Sequence, residues 1–277
     1  MTRKHKIILT ITVNQQLPPM NAHYLNMLYL SNAYTINKGG LVFSKQQSVT
    51  LLTPMFPIEA LVVGTSQSQL LKNHKPASVF EVKIMKIAII GKGNVGSALC
   101  NGLSNAGHET KFGHRDPAEP VADAAKWGEV IILAVPHENA DDAREAIKPY
   151  ADGKTVIDVM NAIGQNMDLD ISCTTSTAEE TQKKLPKAHV VKAFNTVFAQ
   201  NQSTAKVGSE QLTAFIAGND LKAKQTVAQL TRDIGFDPVD CGPLKAARNL
   251  EAMGNLIINL AYTYGMGNKI GYKLVKA

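Results

Sequence analysis

The segment Lys86-Ile-Ala-Ile-Ile90 runs directly into Gly91-Lys92-Gly93-Asn94-Val95-Gly96. The first part is short, apolar on both faces and rich in β-branched residues, as in a buried parallel strand. Beyond the glycines, Val95, Ala98, Leu99, Leu103 and Ala106 recur at helical spacing, and Gly107 is placed to close that helix as its C′ residue. A G-x-G-x-x-G alone is a weak signal. Between a buried strand and a capped helix it is a strong one, and it leaves few folds open. Gly91 permits a tight turn out of the strand, Gly93 lets the backbone approach a pyrophosphate, and Gly96 lets the helix pack closely on the sheet. The free N–H groups and positive dipole end of the helix then face the phosphates. Residues 91–96 are therefore read as a dinucleotide-binding turn.

The residue at the end of the next strand reads the adenosine ribose. That strand is expected at Glu109–Gly113, followed by His114-Arg115-Asp116. A site selective for NAD usually carries Asp or Glu there, about twenty residues beyond the glycines. Arginine suits a 2′-phosphate, because its planar fork matches the phosphate oxygens. One charged hydrogen bond of this kind contributes roughly 1.5–3 kcal/mol, or about 10- to 100-fold in preference. NADP(H) is the expected ligand, with Arg115 as its principal contact and His114 as an added donor. Asp116 leaves two other roles open, as a partner of a ribose hydroxyl or of Arg115.

Further buried strands are expected at Glu129–Val135, Lys154–Val159, His189–Phe194, Gln211–Ala217 and Asp237–Asp240. Helical stretches fall at Glu138–Lys148 and Asp220–Ile234. This alternation predicts an α/β fold with a doubly wound, mostly parallel sheet. Ligands in such sheets sit at the carboxyl ends of the strands. That rule gathers Val135, Pro136 and Ala193 toward the cofactor, and His137, Asn161, Asn195 and Thr196 toward a second substrate. A last helix, Leu244–Tyr264, would carry Leu250, Met253, Ile257, Leu260 and Tyr264 as one apolar stripe. The stripe either packs on the sheet or forms the seam of a homodimer.

The net charge of +6 lies wholly in residues 1–84, which hold eight basic residues and only two acids, Glu59 and Glu81. The remainder is balanced, which removes a general attraction for nucleic acid. The three cysteines, Cys100, Cys173 and Cys241, are odd in number and widely spaced, which argues against a disulfide framework or zinc ribbon. The histidines show no ligand spacing, so no metal site is expected. No run of eighteen apolar residues is present. A reduced, cytoplasmic protein is the expectation, with a small-molecule redox substrate and neither nucleic acid nor membrane as partner.

Residues 1–84 read as a poorly structured extension. Pro18-Pro19, Gly39-Gly40, Pro54 and Pro57 interrupt every longer pattern. The run Ile7–Val13 after Arg3–Lys6 is at the short limit for a secretory signal and lacks a small-residue cleavage site. A transit peptide would carry more than the single Arg3. The reading favoured is that Met85 is the natural start, with residues 1–84 as translated upstream sequence and residues 85–277 as the oxidoreductase domain.

From Met85 onward the chain resembles the F420-dependent NADP oxidoreductase family, which also includes the cytosolic domain of STEAP-type metalloreductases. The matching pieces are Lys86–Gly96, Gly113-His114-Arg115, Ala134-Val135-Pro136, Ile157-Asp158-Val159 with Asn161, and Lys192-Ala-Phe-Asn-Thr-Val197. To these is added Asp240-Cys-Gly-Pro-Leu-Lys-Ala-Ala-Arg-Asn-Leu-Glu251. The family usually has Ser or Thr where His114 stands. The resemblance implies a Rossmann-type domain with NADP(H) along the glycine turn and at His114-Arg115. It also implies hydride exchange with coenzyme F420 or a flavin-like ring stacked on the nicotinamide. Such transfer needs no side-chain nucleophile, so no catalytic residue is assigned. Two other readings stand beside it. One is a pyrroline-carboxylate or imine reductase, whose nucleotide domain is related but which usually needs a longer helical C-terminal part. The other is an NADPH-binding sensor without turnover.

Overall fold

The computed structural model describes residues 83–164 and 174–276, together with three short strands in the N-terminal part. The chain divides into two units, Met1–Val82 and Lys83–Ala277. In the first unit β1 (Thr10–Ile11) pairs in parallel with β2 (Tyr34–Asn37), and β2 pairs antiparallel with β3 (Gly40–Phe43). The poorly structured extension and the two targeting readings fall mainly outside the described residues, as does Cys173.

The second unit is built on a seven-stranded sheet. In chain order it runs β4 (Lys86–Ile90), α1 (Asn94–Asn105), β5 (Glu109–Gly113), α2 (Val121–Trp127), β6 (Val130–Leu133), α3 (Ala140–Ile147), β7 (Thr155–Asp158), α4 (Thr177–Lys184) and β8 (His189–Lys192). There follow a helical turn α5 (Ala199–Gln202), a small ribbon β9 (Lys206–Val207) and β10 (Glu210–Gln211), then β11 (Thr213–Gly218), α6 (Leu221–Ile234), β12 (Asp237–Asp240) and α7 (Ala247–Ile258). The sheet order is β12-β11-β8-β7-β6-β4-β5. All neighbours are parallel except β11 and β8. The chain moves outward from β4 to β5 and then crosses to β6 on the other side of β4. That reversal opens a crevice at the carboxyl ends of β4 and β6, where the glycine turn lies.

The strand period of two sorts β4 between two cores. Ile87 and Ile89 join Leu99 and Leu103 of α1 with Val227 and Leu230 of α6 on one face. Ala88 and Ile90 join Ala124 of α2, Ile147 of α3 and Ala178 of α4 on the other. Each of these side chains is at most 1% exposed, and full burial of one Ile or Leu stabilises by about 1.5–3 kcal/mol. Both faces are covered, which is why the central strands read as unbroken apolar runs.

The helix ends follow their sequence signals. Gly107 donates to Ser104 O at 3.0 Å and His108 N–H to Leu103 O at 3.0 Å, the paired bonds of a Schellman cap. Ser176 Oγ caps α4 by accepting the Glu179 N–H at 3.2 Å, and it donates to Glu179 Oε2 at 2.8 Å. Several strands are shorter than expected. β6 stops at Leu133 because the chain turns away toward Pro136, which has no N–H to extend a ladder.

The last helical stretch runs without a break over residues 244–263, but its winding changes along it. A 3₁₀ turn at Leu244–Ala246 precedes α7, and a π turn at Asn259–Thr263 follows it. The π turn is marked by Tyr264 N–H bonding Asn259 O at 3.0 Å, and it rotates later side chains off the stripe. Leu250 and Ile257 are buried in the unit's own core, whereas Tyr264 is 72% exposed. The Leu250–Tyr264 stripe is therefore not one continuous surface for a second subunit. Among the described residues no helix is long and apolar enough to cross a membrane.

Candidate functional site

Gly91 leaves β4 with φ +108°, a conformation that L side chains rarely adopt. A Cβ there would lie 2.3 Å from the Ala134 carbonyl oxygen at the end of β6. The crossing of the two strand ends is thus a backbone-on-backbone contact that only glycine allows. A Cβ on Gly96 would lie 2.1 Å from the Gly91 carbonyl oxygen, so the first turn of α1 is pressed onto the turn itself. Gly93 differs: a Cβ would meet nothing within 4 Å. The space beside it is open, as a ligand-facing position requires. Gly93 is also the N-cap of α1, with no side-chain cap and no acid in the first turn. The N–H groups at that end are left for an anion.

The turn after β5 forms a compact loop beside this opening. His114 N–H bonds the Glu119 carbonyl at 2.9 Å, and Glu119 N–H bonds the Asp116 carbonyl at 3.0 Å. Asp116 Oδ1 accepts the Ala118 N–H at 2.9 Å. Asp116 therefore serves the loop and forms no ion pair with Arg115. Arg115 is exposed and has no hydrogen-bond or ion-pair partner among the described residues. His114 is engaged at both nitrogens: Nδ1 accepts the Asp116 N–H at 3.3 Å, and Nε2 meets Glu119 Oε2 at 2.5 Å. Lys92 Nζ reaches the same Glu119 oxygen at 2.8 Å, with its ammonium 5.3 Å from the Phe112 ring centroid. The hydrogen bonds from Lys92 and His114 hold the Glu119 carboxyl below the ordinary glutamate value. Sequence reasoning missed Glu119, although its spacing from Gly96 is close to that of a ribose-reading acid.

The other strand ends are drier. Val135 is half-buried, Pro136 is exposed, and His137 begins a 3₁₀ turn with a buried Nδ1 that has no partner among the described residues. Ala193 and Thr196 are at most 1% exposed. Asn161 and Asn195 are brought together, and they bond to each other. Asn195 Nδ2 donates to Asn161 Oδ1 at 2.9 Å and to Leu250 O at 2.8 Å, while Asn161 Nδ2 donates to Asn195 O at 2.9 Å. A Cβ on Gly254 of α7 would lie 2.5 Å from Asn161 Oδ1, so the amide lies flat against the helix backbone. Phe194, at φ +64° and 1% exposed, turns the chain into this arrangement. Such a conformation is an outlier for a bulky residue, and it costs of order 1–3 kcal/mol that the surrounding contacts must offset. Gln202 Nε2 supports it through Phe194 O at 2.8 Å and Val197 O at 2.9 Å.

Beneath these amides lies a buried ionic network that sequence reasoning left without a role. Lys192 Nζ reaches Asp158 Oδ1 at 2.9 Å, Glu251 Oε1 at 2.7 Å and Thr177 Oγ1 at 2.7 Å, and it also bonds Met160 O. Thr181 donates to Asp158 Oδ2 at 2.8 Å, and Thr177 N–H donates to Glu251 Oε1 at 2.8 Å. Arg144, itself buried, bonds Thr181 Oγ1 at 3.0 Å and Thr177 O at 3.1 Å. Lys192, Asp158 and Glu251 are each no more than 3% exposed. The signal was available: Lys192 and Asp158 are lone charges in strands that are otherwise buried. A separate open depression lined by Pro243, Lys245, Ala246, Arg248 and Asn249 contains none of the residues expected at the site.

A doubly wound sheet with this glycine turn at its reversal point is the architecture of Rossmann-type nucleotide-binding domains. Residues 86–122 and 116–162 match the family model for coenzyme F420-dependent NADP oxidoreductases. It is 32% identical to the F420-dependent NADP reductase of Methanocaldococcus jannaschii over 154 residues, which is 51% of this chain and 66% of that one. It is 30% identical over 181 residues to rat metalloreductase STEAP3, covering 61% of this chain. The chain spans about a third of the length of that metalloreductase, 36%. The crystal structure of a putative F420-dependent NADP reductase from Arthrobacter sp. FB24 superposes with a TM-score of 0.64 at 28% identity, over 69% of this chain and 100% of that one.

Proposed function

We propose that the second unit is an NADP(H)-dependent oxidoreductase that exchanges a hydride between the nicotinamide and a deazaflavin or flavin-like ring. The observation that carries this is the open, uncapped start of α1 beside Gly93, with the unpartnered Arg115 exposed at the next strand end. The residues fit the cofactor: Gly91–Gly96 and the α1 N–H groups would hold the pyrophosphate, and His114 and Arg115 the 2′-phosphate. Val135, Pro136 and Ala193 would border the nicotinamide. When bound, the nicotinamide supplies the hydride. The protein supplies orientation and exclusion of water. His137, Asn161, Asn195 and Thr196 remain the candidates beside the acceptor, with the two amides acting through their mutual bonds as a fixed wall. The names of the relatives in Methanocaldococcus and Arthrobacter favour coenzyme F420 as the acceptor.

The test is to follow NADPH absorbance with purified protein and F420, FMN, FAD or a ferric chelate in turn. Oxidation with F420 and not with the others is the expected result. Tight NADPH binding with no oxidation by any acceptor would replace this reading with the sensor. A homodimer belongs to the same reading only through the exposed Leu256, Tyr262, Tyr264 and Met266, and light scattering on the eluted protein checks it.

A further inference from the structure

We propose that the Glu119 carboxylate is a placeholder anion in the adenosine pocket and sets how strongly that pocket prefers a 2′-phosphate to a 2′-hydroxyl. The inference rests on the dinucleotide reading above. An acid about twenty residues beyond the glycines is ordinarily the group that accepts hydrogen bonds from the ribose. Glu119 has that spacing but not that disposition. Its Oε2 is already committed to two donors, Lys92 Nζ and His114 Nε2. Its backbone is pinned from both sides by His114 and Asp116, so the carboxylate is presented to those donors by the loop itself. The other acid of the loop, Asp116, faces the Ala118 N–H instead.

Lys92 and His114 thus hold one carboxylate between them, and Arg115 of the same loop is unengaged. A 2′-phosphate brings oxygens that the same Lys92 and His114 donors can satisfy, and Arg115 adds its fork. Binding is then an exchange of one anion for another on a fixed set of donors. Glu119 opposes that exchange in two ways, by occupying the donors and by repelling the incoming charge. A 2′-hydroxyl is neutral and needs no such exchange. Glu119 therefore acts against NADP and barely on NAD, even though it neighbours both.

Substituting Glu119→Gln keeps the shape and backbone bonds and removes the charge. NADPH and 2′,5′-ADP should bind about three- to tenfold more tightly, since a like charge a few ångströms away in a solvated pocket is worth about that factor. NADH should stay within about twofold of the unaltered protein, by the same arithmetic. Titration of the unaltered protein and E119Q with NADPH, NADH and 2′,5′-ADP, with thermal melts to confirm folding, reads these constants directly. Weaker NADH binding with unchanged NADPH would show that Glu119 reads the hydroxyl, and would overturn the proposal. Equal changes for both cofactors would overturn it as well. Binding of neither cofactor by the unaltered protein would instead overturn the dinucleotide reading, and this inference with it.

Discussion

The two ends of the crevice are built on opposite physical principles. At the loop after β5, Lys92, His114, Arg115 and Glu119 are exposed or half-exposed, and the ion pairs of Glu119 with Lys92 and His114 sit in solvent. At the strand ends of β7 and β8, Lys192, Asp158, Glu251 and Asn195 are locked out of water, with Asn161 half-buried beside them. Solvated ion pairs contribute little to folding and are readily exchanged for a ligand. Buried ones cost much if broken and do not rearrange. One end is therefore suited to exchanging a charged group, the other to keeping a surface still.

The contrast breaks most visibly at Lys192. Lys192→Met leaves Asp158 and Glu251 buried without their cation and should lower unfolding stability by about 3–5 kcal/mol, measured by urea denaturation. A loss under 1 kcal/mol would mean that this end is not the rigid one. Arg115→Ala should leave stability unchanged and weaken NADPH binding by about 1.5–3 kcal/mol, with little effect on NADH. Equal loss for both cofactors would remove the phosphate role. Asn195→Ala removes the donor shared by Asn161 Oδ1 and Leu250 O, and should destabilise by about 1–3 kcal/mol. If it lowered NADPH affinity while stability held, Asn195 would belong to the ligand and not to the wall.

The smallest effect concerns Glu179, whose pKa is held down first by its hydrogen bonds to Arg248 at 2.7 and 2.8 Å. A depressed carboxyl stabilises the fold above its unfolded pKa of about 4.3 and loses that contribution as pH falls through its lower folded value. The pair is partly exposed, so Arg248→Met should lower stability only slightly at neutral pH. The difference should vanish in acid, which paired denaturation curves at several pH values would show. A difference that persists below that range would assign the effect to packing.

The sheet was legible in the sequence because buried parallel strands leave unbroken apolar runs, and because glycine has a separate steric reason at each place in the turn. Arg115 was legible for the same kind of reason, since a cation at a strand end is conspicuous. The partners were not. Glu119 meets Lys92 across 27 residues, and Lys192 meets Glu251 across 59. Periodicity carries no information at such separations. Asn161 and Asn195 were found by their place at strand ends, but their bonding to each other depends on a strained Phe194 and on the closeness of α7. The extent of the C-terminal helix was legible, but not its change to a π turn at Asn259, because apolar spacing continues through Tyr264.

The contact of Gly254 with the Asn161 amide has a consequence for anyone re-engineering the acceptor side. The final helix, the β7 exit and the β8 exit are keyed to one another by Leu250 O, Glu251 and the missing methyl at 254. A helix grafted from a relative would not seat unless residues 158–161 and 192–195 travelled with it. The three segments form one interchangeable cassette, whereas the loop at 114–119 can be rewritten by itself.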